Sequence, residues 1–147
     1  MNIITRNYGN ISAKEDDIIR FTEGMYGFEE YKNYIILKDK PEDDIMYLQS
    51  IDNEDLSFVL IDPFVIINRY EPNVNDEDLK ELEVKDGSEL KFLLVAIIRK
   101  EIQNSLVNLK SPIAINAKLK VAKQVILENS EYPLRYPVFK NEEDARC

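Results

Sequence analysis

Seven apolar residues in an unbroken row, residues 92–98 (FLLVAII), constrain this chain more than any other feature. A membrane-spanning helix needs about 20 such residues, so the run is too short to cross a bilayer. Its length and its Val and Ile content fit a strand buried on both faces better than a helix. The run therefore predicts a central strand against which the rest of the chain packs. A chain of 147 residues buries roughly two-thirds of its unfolded surface, enough for one real core. We expect one domain over residues 1–139 and a charged, flexible tail over 140–147 (KNEEDARC).

Short strand patterns surround the run. Residues 2–8 alternate weakly and turn at Gly9 into a second short strand, and residues 18–21 and 34–37 read as strands. Between them lies FTEGMYGF, residues 21–28, with two glycines three apart. This is a shaped loop, and it lacks the Gly-Lys-Ser/Thr ending of a phosphate loop. One helical turn is expected at residues 29–31. Residues 45–50 and 56–61 form a hairpin about the acidic turn 52–55, and Asp62-Pro63 closes its second strand. Residues 65–70 are expected to continue along an edge. One helix signal stands out, over about residues 75–83. Asn75 is placed as N-cap, Asp76, Glu77 and Asp78 fill the first turn, and Val74 and Leu79 are spaced as a hydrophobic staple. Further strands are expected at residues 106–109, 113–116 and 124–127. Many short strands with one short capping helix predict a mainly β fold, an antiparallel barrel or sandwich.

Catalysis has little to stand on. The chain has no histidine, which removes the commonest general base and metal ligand. Its one cysteine, Cys147, is the last residue, so no intrachain disulfide can form. The acidic stretches lack the alternating ligands of a calcium loop. We expect no enzyme, no metal and no cofactor. The N-terminus lacks the basic and apolar regions of a signal peptide, and we expect a cytoplasmic protein.

Charge is the positive clue. With 28 acidic and 19 basic residues the net charge is −9, unsuited to holding nucleic-acid phosphates. Residues 71–89 carry eight acidic side chains against Lys80 and Lys85, whereas residues 102–127 carry none, only lysines 110, 118, 120 and 123. Such a surface either keeps the protein soluble or steers a basic partner. Asn108, Asn116, Gln49 and Gln124 interrupt apolar strand patterns. Their amides either bond neighbouring backbone or present a recognition edge. Pro112 forces a kink between Leu109 and Ile113, which would leave a partly apolar docking surface.

These residues together resemble the FliW family of bacterial flagellar assembly factors. The likeness runs from Ile3 to about Val138. It rests on Phe21-x-Glu23-Gly24-x-x-Gly27-Phe28, Leu48-Gln49-Ser50, Phe58-x-x-x-Asp62-Pro63, Tyr70, Asn108-Leu109-x-x-Pro112-Ile113-x-x-Asn116 and Gln124-Val125-Ile126-Leu127. Tyr26 stands where the family usually has proline, and Ala122 where it commonly has glycine. The resemblance implies an antiparallel β pseudo-barrel with a helical cap. It also implies a cytoplasmic regulator that binds the RNA-binding translational repressor CsrA and is itself sequestered by flagellin. On that reading Asn108, Leu109, Pro112, Ile113, Asn116 and Gln124 are expected to form part of a protein-docking surface. Asp43, Asp44, Glu71, Asp76 and Glu77 are expected to steer the basic repressor. The protein would act as a monomer, without contacting nucleic acid or membrane. The rival is a small-molecule or carbohydrate-binding β-barrel, whose deep pocket would bring carboxylates together with Tyr26, Tyr31 or Tyr70.

Overall fold

The computed structural model describes residues 1–128 and 131–139; the expected tail lies outside the described residues. The chain opens with a hairpin, β1 (Asn2–Thr5) and β2 (Gly9–Ser12). It continues through β3 (Ile18–Phe21), β4 (Asn33–Leu37), β5 (Ile45–Ser50) and β6 (Ser57–Ile61). Two short helices follow, α1 (Pro63–Ile66) and α2 (Asp76–Glu81). Then come β7 (Lys91–Ile97), β8 (Leu106–Val107), β9 (Ile113–Asn116), β10 (Val121–Gln124) and β11 (Tyr136–Pro137). The order β7-β6-β5-β4-β3-β10-β9 closes on itself, because β9 returns to pair with β7. β8 and β11 extend the sheet beyond β7. The pairings are antiparallel except that of β10 with β3, where Val121 faces Arg20 and Ala122 faces Phe21. A parallel pair needs a long crossover, and the chain between these two strands supplies one.

Alternation along each strand explains the sequence pattern. Phe21, Tyr34, Leu48, Leu60, Leu93, Ile113 and Ala122 point into the barrel and fill it. Leu94, Ala96, Ile61, Ala114 and Val121 point outward, yet they too are buried, under Leu82, Leu109, Val125 and Leu127. β7 therefore has core on both faces, which is why its run is unbroken. Its last residue, Ile97, and the following Ile98 escape this cover and are exposed. A third, smaller core lies where Ile3 and Ala13 of the N-terminal hairpin cover Ile35 on the outside of β4.

The loop over residues 22–31 depends on its glycines. Gly24 sits at φ +74°, and a Cβ there would lie 2.8 Å from the backbone of Glu29. Only glycine fits such a close approach. Residues 29–31 make a turn rather than the expected helical turn, with Tyr31 N donating to Phe28 O. The segment after β6 also differs from expectation. Asp62 accepts from Phe64 N, and Pro63 occupies the first helical position, so this segment starts α1 instead of continuing as an edge strand. α2 begins as its cap predicts, with Asn75 Oδ1 accepting from Asp78 N at 2.8 Å. β10 comes three residues earlier than residues 124–127, and β11 has no clear sequence signal.

Candidate protein-binding surfaces

The residues expected to form a docking edge are gathered in one region, with most of their side chains turned inward. Ile113 is fully buried in the barrel, Leu109 is buried in the outer core, and Pro112 is buried beside them. The amides of this region serve backbone. Asn108 Oδ1 accepts from Lys110 N and Ser111 N, shaping the turn before Pro112. Asn116 Nδ2 donates to Leu82 O at 2.8 Å, tying β9 to the end of α2, and its Oδ1 accepts from Lys118 N and Leu119 N. Gln124 Oε1 accepts from Tyr26 N and its Nε2 donates to Ser111 O, so it pins the glycine loop to the β9 entry. Gln49 does the same for the β5–β6 turn, bonding Arg6 N and the carbonyl of Glu54. Backbone service by these side chains is thus observed, and it is what satisfies the amides of Gln49, Asn116 and Gln124 in their buried positions.

The acidic candidates lie outside. Asp44, Glu71, Asp76 and Glu77 are exposed; Asp43 is half-buried and accepts from Lys40 N. Glu71 pairs with Arg69 at 2.7 Å on open surface, which offsets part of its charge. Asp76 and Glu77 occupy the first turn of α2, where the backbone dipoles favour carboxylates. The neighbouring Asp78 turns inward and meets Lys123 Nζ at 2.7 Å, where Glu81 also pairs and Glu23 lies at 3.5 Å. Burial alone would lower the Lys123 pKa. Hydrogen bonds to Asp78 and Glu81 outweigh it and hold the ammonium charged well above the ordinary lysine range. One lysine among three carboxylates leaves this face negative, and it joins α2 to β10.

An apolar groove was not legible beforehand. Ile45, Tyr47, Val59, Ile98, Ile102 and Phe139 line a hollow of about 480 Å³ on the outer face of β5 and β6, with Arg6 at its edge. Ile98, Ile102 and Phe139 are each more than two-fifths exposed. Ile98 belongs to the apolar run and reads as core in the sequence. Its exposure follows from where β7 ends.

At Tyr70 no convergent set of carboxylates is assembled among the described residues, whereas Tyr26 lies in the field of Asp78 and Glu23 of the Lys123 cluster. Tyr70 is buried and donates to Leu109 O at 2.6 Å, and the hollow beside it holds one carboxylate, Asp62. Burial, reinforced by Tyr132, pushes its hydroxyl well above the ordinary phenol value. Among the described residues no group of three or more acidic, His or Cys side chains is placed to hold a metal. No helix among them is long and apolar enough to cross a membrane.

Comparison with known proteins agrees along the whole chain. The profile of the FliW protein family matches residues 2–138. The chain is 40% identical to a flagellar assembly factor FliW from Thermoanaerobacter pseudethanolicus, covering 99% of this chain and 97% of that one. It is 38% identical to one from Syntrophus aciditrophicus, covering 97% and 90%. A crystal structure of the flagellar assembly factor FliW superposes with a TM-score of 0.88 at 32% identity, over 97% of this chain and 99% of that one. With sequence, length and barrel topology all in agreement, this chain belongs to the FliW family of flagellar assembly factors.

Proposed function

We propose that this protein is a non-catalytic cytoplasmic regulator that binds the translational repressor CsrA, antagonises it, and is itself sequestered by flagellin. The observation that carries the reading is the nearly end-to-end match to flagellar assembly factors, in sequence and in fold. The charge distribution supports its first half. A repressor that holds RNA must present basic surface, and the exposed carboxylates Asp44, Asp76 and Glu77 on a chain of net charge −9 attract such a surface within about one Debye length, a reach that grows as salt is lowered. Their field near the RNA site also raises the cost of retaining phosphate. We assign Asp43 and Glu71 a smaller share, because one caps backbone and the other is paired with Arg69. The docking side chains at Asn108, Leu109, Pro112, Ile113, Asn116 and Gln124 act by setting the shape of the β9–β10 hairpin and the turn that enters it, beneath the partner.

The test is direct. The purified protein is added to a complex of its own organism's CsrA with flagellin-leader RNA, and RNA release is followed before and after flagellin is added. Release that flagellin reverses supports the reading; absence of binding to either protein refutes it. The association rate should fall steeply with ionic strength and fall further in the variant Asp76→Lys/Glu77→Lys. A flat salt dependence would remove the steering component.

A further inference from the structure

One end of the barrel is open and differs chemically from the rest of the surface. A hollow of about 470 Å³ lies where β3, β5 and β7 begin and β4 and β9 end, with the N-terminal hairpin as one wall. Ile19, Ile36, Met46, Leu93 and Ile115 form an aliphatic floor that reaches the barrel interior. Lys38, Lys91 and Lys120 stand around the rim with a single carboxylate, Asp17. The Lys91 and Lys120 ammonium groups have no ion-pair partner among the described residues, and Lys38 meets only the Pro41 carbonyl, at 3.4 Å. Asp17 already accepts from Lys14 N. A mouth of local charge +2, from three lysines less one aspartate, sits on a chain of net charge −9.

We propose that this mouth is a binding site for an amphipathic anion with a single aliphatic chain, a fatty carboxylate. The floor is hydrocarbon, and the one uncharged polar side chain of the lining, Ser12, is exposed on the hairpin wall, so the site favours an alkyl tail over a sugar or a nucleotide base. The rim offers ammonium groups, so it selects an anionic head. The volume lies within the range of small-ligand sites, and barrel mouths are a common place for them. This site shares no lining residue with the Lys123 cluster of Asp78, Glu81 and Glu23, and the proposal stands or falls independently of CsrA binding.

Titration of the full chain with submicellar decanoate, followed by calorimetry and backbone amide shifts, tests it. Saturable one-to-one binding is expected, with shifts at Ile19, Ile36, Leu93 and Ile115. The variant Lys38→Gln/Lys91→Gln/Lys120→Gln, whose changes are all on exposed side chains, should bind roughly ten-fold more weakly, the sum of three modest surface charge contacts. Decyltrimethylammonium, with the same tail and opposite head, should not bind. The proposal is overturned by non-saturable binding, by equal binding of the cationic analogue, or by shifts that map to the Ile45–Phe139 groove. Inorganic phosphate or triglutamate matching decanoate would equally overturn it, since the tail would then contribute nothing.

Discussion

Replacing Lys123 by methionine removes the cation that Asp78, Glu81 and Glu23 share, while keeping an aliphatic stem of similar reach. The Lys123 and Asp78 side chains are only 13% and 10% exposed, whereas Glu81 and Glu23 are 39% and 57% exposed. Breaking a buried pair by removing one partner costs about 3–5 kcal/mol, and an exposed pair contributes about 0–1. The loss should therefore be dominated by Asp78 and amount to about 3–4 kcal/mol at neutral pH. Urea unfolding of wild type, Lys123→Met, Asp78→Asn and the double variant closes a mutant cycle. The double variant should recover most of the loss, because it leaves no uncompensated charge in the buried position. The sign with pH is also fixed. In Lys123→Met the folded state crowds three carboxylates and takes up protons more readily than the unfolded chain, so its deficit relative to wild type must shrink on acidification. A loss below about 1 kcal/mol, or strictly additive single effects, would show that solvent screens the cluster and would refute the reasoning.

Other consequences can be checked in the same way. Gly24→Ala should cost clearly more than Gly27→Ala in thermal unfolding: both have positive φ, but only at Gly24 would the added Cβ collide with backbone, whereas Gly27 carries the left-handed cost alone, about 1–2 kcal/mol. The Tyr34 hydroxyl is buried without a hydrogen-bond partner among the described residues, so Tyr34→Phe should be neutral or stabilising; Tyr70→Phe, which frees the Leu109 carbonyl, should cost about 1–3 kcal/mol in denaturant titration. Ile113→Ala should destabilise by about 2–5 kcal/mol, visible as a lowered melting temperature, since its side chain is fully buried in the barrel. Burial pushes the Tyr34 and Tyr8 hydroxyls up to about 12, with Asp39 adding to the effect at Tyr8. Groups whose folded pKa is raised hold their protons where the unfolded chain has lost them. Stability should thus be insensitive to these groups up to about pH 9 and fall as pH rises from about 10 to 12, as followed by circular dichroism.

Local pattern carried much of the fold into the sequence. The strands at residues 18–21 and 113–116, the β5–β6 hairpin and the Asn75 cap of α2 rest on signals spanning fewer than twenty residues, and each is found where its signal lies. The glycine loop was legible for the same reason, because ready access to positive φ is a property of glycine itself, used at Gly24 and Gly27. Residues 65–70 misled because Ile and Val favour strands in general, while the Asp62 cap and Pro63 turned the start of that segment into α1.

Periodicity carried the core of short strands and composition the acidic surface, both without coordinates, while the resemblance to flagellar assembly factors rested on the ordered motifs. Tertiary structure alone decided which apolar residues are core and which are surface. Ile113 and Ile98 look alike in the chain, yet β9 closes the barrel over one and β7 ends before covering the other. It also decided that Asn116 and Gln124 serve backbone, that Asp78 rather than Asp76 meets Lys123, and that three lysines far apart in sequence share one mouth. Burial and charge pairing are set by which strands close on which, and that information lies in long-range pairings that no local window contains.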